Sequence, residues 1–379
     1  MPYRIYQGCC RIPRTDLFST ARHHTNRDVE STANWACAIF LFRLKNSFMK
    51  ILLPSRALLF ALAFTAILPL CSAQAQRQWR AAVGAQGEGK GHQALAFLPN
   101  EIWIHAGDSI TWTFDADEIH TVTFLRADQV RPPFFVGCPG FSSDPATFDG
   151  STCVTTPPLV KGQSFTVNFP VAGNFKLTCL VHPNMTGTIH VFGPSQHLPH
   201  GQAFYDQRAA DERKDLLEDT RIDRDAGRDN QPNHNHKHGV AAGIGEVSAT
   251  AGGSETLSVM RFLHDPTKIH AGQTVEWTNL DPVTPHTITF GTEPPPPFDP
   301  PSPDVTVDPD GARHAVISSV SDSTHSGFII AEPQERTGLQ QAPLGVTRFR
   351  VTFPHAGTFP YICSLHDELG MKGTVIVAP

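Results

Sequence analysis

Large apolar side chains alternate with small or polar ones at four places in the chain, and the places fall into two pairs. Ile110-Thr111-Trp112-Thr113-Phe114 is matched by Thr274-Val275-Glu276-Trp277-Thr278, and Phe165-Thr166-Val167-Asn168-Phe169 by Phe349-Arg350-Val351-Thr352-Phe353. A period of two, rich in β-branched and aromatic residues and bounded by turn residues, predicts half-buried strands. Short strands of this kind predict a β-sandwich in each half of the chain. Burial preferences place Trp112 and Trp277 in the two cores.

The pairing extends beyond the strands. Ile104-His105-Ala106-Gly107 matches Ile269-His270-Ala271-Gly272, and His120-Thr121-Val122-Thr123-Phe124 matches His286-Thr287-Ile288-Thr289-Phe290. Phe169-Pro170-Val171-Ala172-Gly173-Asn174-Phe175 matches Phe353-Pro354-His355-Ala356-Gly357-Thr358-Phe359. A repeat of this length reads as two similar domains in tandem, 76–196 and 241–379. Each carries an insertion between its early His and its Cys, 131–158 in the first domain and a Pro-rich stretch from 293 in the second.

Between the domains, 197–240 breaks the pattern. Ala203-Phe204 and Leu216-Leu217 lie among many charged residues, which predicts a polar helix with one thin apolar stripe, ended by Gly227. Asn233-His234-Asn235-His236-Lys237-His238 follows and reads as a solvated linker, although alternate histidines also bind metal adventitiously.

The N-terminus has its own logic. Met49-Lys50 opens a short basic stretch, 57–70 is apolar, and Ala73-Gln74-Ala75 is a small-x-small cleavage site, so 49–75 reads as a signal peptide. That apolar run is short for a membrane span, and no stable span is expected after cleavage. Residues 1–48 show no apolar periodicity and read as an upstream extension outside the fold. Export implies a periplasmic or secreted protein.

Composition agrees with an all-β protein: 17% of the 379 residues are charged, with 29 Gly and 32 Pro. Residues 1–75 are basic, and the remainder carries a net charge near −12. An acidic body makes nucleic acid an unsuitable partner and favours basic partner proteins.

Four cysteines follow the signal segment. Cys138 and Cys153 flank a Gly/Pro/Ser loop suited to a disulfide in an oxidising compartment, against the alternative of two free thiols. Cys179 and Cys363 open the chemically dense loops. In the first, Cys179, His182 and Met185 fall within seven residues; in the second, Cys363, His366 and Met371 fall within nine. Thiolate, imidazole and thioether together are a soft donor set that selects copper over magnesium or calcium. With an imidazole from a separate strand, two complete sets result: His120, Cys179, His182 and Met185, then His286, Cys363, His366 and Met371. Of the three methionines after the signal segment, two hold these positions. Structural zinc would need a second Cys or His pair beside each Cys-x2-His, and none is nearby. His105 and His270 repeat without a partner and read as strand-end surface residues.

These motifs resemble the cupredoxin (blue copper, plastocyanin/azurin-like) family. Cys-x2-His-x2-Met has the spacing of amicyanin, and Cys-x2-His-x4-Met that of plastocyanin and pseudoazurin. The resemblance covers roughly 93–192 and 259–377, excluding the insertions and linker. It implies two Greek-key β-sandwiches, each with one type 1 copper cycling between Cu(I) and Cu(II), joined by a charged, partly helical linker.

One-electron transfer between redox partners is the function this implies, with a copper carrier or storage protein as the alternative. Tandem cupredoxin domains also resemble copper nitrite reductases and two-domain laccases. Those enzymes hold further copper through a His beside the type 1 Cys and His-x-His pairs. Here Cys179 lies between Thr178 and Leu180, Cys363 between Ile362 and Ser364, and the His-x-His pairs are confined to the linker. An electron carrier is therefore expected rather than an enzyme.

Overall fold

The computed structural model describes residues 76–132, 138, 140–218, 238–298, 300–331 and 346–379. The upstream extension, the signal segment and most of the His-rich linker run, His234 and His236 included, lie outside the described residues. All described residues belong to one compact unit, 71–379.

The alternating segments are strands: Ser109–Phe114, Ser164–Asn168, Gln273–Leu280 and Arg348–Phe353. In the first domain Gln78–Gln86 runs antiparallel to His92–Leu98 and parallel to Ser109–Phe114, which pairs in turn with Ser164–Asn168. The facing layer is built around Thr186–Phe192, flanked by Glu101–His105 and Gly173–Thr178. The second domain repeats this plan. Gly239–Ala249 pairs with Ser254–Leu263 and Gln273–Leu280, while Gly357–Ile362, Lys372–Ala378 and Thr267–His270 form the other layer. Trp112 and Trp277 are fully buried between their layers, each against a phenylalanine from the strand that follows the domain's early histidine, Phe124 after His120 and Phe290 after His286.

The two sandwiches fuse edge to edge. Ser254–Leu263 pairs antiparallel with His92–Leu98, with Thr256 opposite Leu95 and Val259 opposite His92. Each domain thus covers the other's exposed strand edge, which would otherwise be open to pairing with other chains.

The linker contributes to this junction. Its helix spans Gln202–Leu217 and ends well before Gly227, once Leu216 has docked. Leu216 joins Ala85, Ala94, Ala96, Leu98, Leu257 and Val259 in a small apolar cluster drawn from both domains. At the other end, buried Tyr205 accepts a hydrogen bond from the Trp103 amide (2.9 Å) and donates to the Trp103 carbonyl (3.1 Å). Leu216, with Leu217 and Ala209 packed beside it, grips this seam, whereas Ala203 and Phe204 at the other end of the stripe are exposed. Cys138 and Cys153 form a disulfide, with Cα atoms 5.5 Å apart.

Candidate metal centres

Each domain closes its sandwich over one buried triad. His120, Cys179 and His182 form the first, and His286, Cys363 and His366 the second; within each, all three ligand atoms lie within 4.8 Å of one another. The two Nδ1 atoms face each other at 3.2 Å in the first site and 3.1 Å in the second. The sulfurs sit 3.9 Å from His182 Nδ1 and 3.5 Å from His366 Nδ1. Two imidazole lone pairs this close repel unless a proton or a metal ion lies between them. The separation suits two ligands of one ion bound at about 2 Å each.

The Cys–Met loops differ in length but close alike. The Cys179 amide donates to the Met185 carbonyl and the Cys363 amide to the Met371 carbonyl, both at 3.0 Å. The residue before each methionine takes the left-handed conformation, Asn184 at φ 63° and Gly370 at φ 93°, which Asn and Gly adopt at least cost. Both methionines are fully buried.

The threonine after each early histidine completes the cage. The Thr121 amide points at Cys179 Sγ (3.4 Å) and the Thr287 amide at Cys363 Sγ (3.3 Å). Each threonine hydroxyl accepts the amide that follows the cysteine, Leu180 or Ser364, at 2.8 Å. Burial pushes both thiols up, but the two histidines of each triad outweigh it and hold them well below their ordinary value. The anionic sulfur needed for soft-metal binding is therefore favoured in place.

A bulge glycine backs each early histidine. Gly84 (φ 67°) and Gly243 (φ 77°) interrupt the strand pairing at the same point of each domain. A Cβ at either would overlap the imidazole Nε2 of His120 or His286.

The carboxylates differ between the sites, and the sequence repeat did not reveal them. Glu118 is buried between the two domains, with Oε1 3.3 Å from His182 Nε2 and Oε2 3.6 Å from His366 Nε2. Burial raises its carboxyl, yet His366 and His182 together bring it down to about 2. His182, pulled down by burial, is carried up to about 9 by Cys179 and Glu118. In the second domain Asp281 Oδ2 lies 3.8 Å from His286 Nε2; burial lowers that imidazole, but Asp281 and Cys363 bring it to about 9. Asp281 also accepts the Val283 and Thr284 amides and the Ser258 hydroxyl. In the first domain the insertion supplies an arginine instead: Arg131 donates to the Cys179 carbonyl (2.9 Å) and to the Leu180 carbonyl.

The remaining histidines play other parts. His105 is buried rather than at the surface, because its Nε2 meets the Gln196 carbonyl (2.7 Å). His270 is exposed and pairs with the Pro379 carbonyl.

Two fused β-sandwiches, each closing over a His–Cys–His triad beside a buried methionine, define a tandem-domain metal-binding protein. The family described as "Copper binding proteins, plastocyanin/azurin family" matches residues 84–192 and 247–378. That is more than half of the chain, and the protein belongs to this family. Similar solved structures include a reduced amicyanin variant, 18% identical, covering 30% of this chain and 82% of that one with TM-score 0.21. Another reduced amicyanin variant is 17% identical, covering 32% and 88%, with TM-score 0.22. A search of curated protein sequences found no match.

Proposed function

We propose that this is an exported protein with two type 1 copper centres that passes single electrons between redox partner proteins. The observation that carries the reading is the duplicated cage: two buried imidazoles, a thiolate held by an amide, and a buried methionine, built identically around loops of different length. The fit to copper rests on this donor set, since two imidazoles, a thiolate and a weak thioether suit Cu(I) and Cu(II) alike. Copper bound there supplies a one-electron couple at each site.

The chain's own residues keep the couple reversible. Thr121 and Thr287 fix the sulfur through their amides and the following loop through their hydroxyls. Gly84 and Gly243 let the early imidazoles pack tightly against the bulged strand. Met185 and Met371, buried at the ends of the two loops, would supply the weak thioether donors. A cage held this firmly limits rearrangement between oxidation states, which favours electron transfer over delivery of copper to an acceptor. The Cys138–Cys153 disulfide supports an oxidising compartment, in keeping with the expected signal peptide. Among the described residues no helix is long and apolar enough to cross a membrane. The acidic surplus favours basic partners.

Cyclic voltammetry of the copper-loaded chain tests the reading: two reversible one-electron couples are expected, with copper retained through repeated cycles. Release of the copper to a thiol-rich acceptor protein on mixing would replace it with the carrier function.

A further inference from the structure

The loop histidines His182 and His366, one from each domain, turn towards each other at the domain seam and are almost completely buried. Glu118 stands between them, with one oxygen on each Nε2 at 3.3 and 3.6 Å. Each imidazole carries its ligating Nδ1 on the opposite side of the ring, facing its own cysteine sulfur. One carboxylate therefore joins the two triads through a buried path of two rings and a single side chain. Carboxylates that accept the second N–H of a ligating histidine orient it and tune its basicity; here one carboxylate does so for two sites at once. The second domain has no counterpart, since Thr284 occupies the place two residues before its own early histidine.

We propose that Glu118 is a positioning residue coupling the two centres into an internal, directional relay, with the second-domain centre as electron donor and the first as acceptor. The proposal rests on the copper reading above. Its direction follows from fixed charge. A nearby anion favours the more oxidised, more positive state of a centre, and a nearby cation the reduced state. Asp281 lies against His286 in the second site, while Arg131 lies against the Cys179 carbonyl in the first. The first domain's counterpart of Asp281, Asp115, points away and pairs with Arg213 of the helix at 3.6 Å. The second site also has an arginine, Arg261, but it grips the Leu369 carbonyl and Gly89, beyond the cysteine. Glu118 contacts both sites, at 3.3 Å in the first and 3.6 Å in the second, so the larger difference between them comes from Asp281 and Arg131. With copper held in both triads, one electron would pass from the second to the first with no bond forming or breaking, while Glu118 keeps both contacts. One-electron donor and acceptor proteins complete the cycle outside.

The test uses the full copper-loaded chain, with Cys179→Ser and Cys363→Ser supplying the EPR signature of each centre alone. At half reduction the first centre is expected to hold the electron in at least about tenfold excess, about 59 mV for a one-electron couple. After flash reduction, equilibration between the centres is expected at a rate independent of protein concentration, slowed about tenfold or more in Glu118→Ala and partly restored in Glu118→Gln. An even or reversed distribution overturns the direction. A rate that scales with concentration, or is unchanged in Glu118→Ala with two coppers bound, overturns the bridge. A chain that shows no type 1 signal fails earlier, at the copper reading itself.

Discussion

The two triads are near copies, and their surroundings are not. Both have the same face-to-face imidazoles, the same threonine on the sulfur and the same bulge glycine behind the early histidine. What differs is fixed charge. Asp115 and Asp281 each lie five residues before their early histidine, yet Asp115 faces Arg213 of the linker helix while Asp281 turns in to His286. Arg131, from the first domain's insertion, braces the start of the first Cys–Met loop through the Cys179 and Leu180 carbonyls. The donor cage was thus duplicated and held, while the charges around it diverged. That pattern is expected where two centres share one chemistry at different potentials.

Removing a thiolate breaks the comparison most completely. Cys179→Ser should abolish the visible charge-transfer band and copper binding of the first site alone, and Cys363→Ser those of the second, read by optical spectrum and copper count. Next in size is the bulge glycine. Gly84→Ala or Gly243→Ala forces a Cβ into the early imidazole at a positive φ, at a cost of about 3 kcal/mol or more. Denaturant unfolding of the apo-protein checks the stability, and the spectrum of the affected site should lose its intensity first.

A subtler change sharpens the contrast. Asp281→Asn should raise the reduction potential of the second centre and Arg131→Gln lower that of the first, each narrowing the gap by tens of millivolts, where about 59 mV is tenfold. Spectroelectrochemistry reads both.

The smallest expected effect lies outside the sites, on the seam that aligns them. Burial raises Glu255, with Glu212 and Asp215 adding to it, to about 7 from 4.5. An acid raised on folding is most stabilising while protonated, so its contribution is lost as pH rises from about 4.5 through 7. Glu255→Gln should stabilise the fold at pH 8 by about 1 kcal/mol or less, read as a rise in Tm, and leave it nearly unchanged at pH 4.5.

Much of this was legible in the sequence. Period-two alternation located the strands around Trp112 and Trp277, and the doubled Cys–His–Met loops located the triads, because ligands from a strand end and the adjoining loop sit at fixed short spacing. Thr121 and Thr287 were visible in the repeated His-Thr run, though their role at the sulfur was not. Glu118 was hidden for a physical reason: it acts at the seam between domains, where the repeat has no counterpart and Thr284 stands instead. The fusion of Ser254–Leu263 to His92–Leu98 was equally hidden, since an edge strand bears no mark of which edge it will pair with. The helix was readable, but its docking of Leu216 across both domains was not, because a thin apolar stripe looks the same facing a seam or facing solvent.

Copper count and visible absorption on the same oxidised, copper-loaded sample decide whether one chain holds two type 1 centres. Two coppers per chain are expected, with an intense thiolate-to-copper band whose strength halves in each single cysteine variant. A colourless sample, or full intensity with one copper per chain, would contradict it.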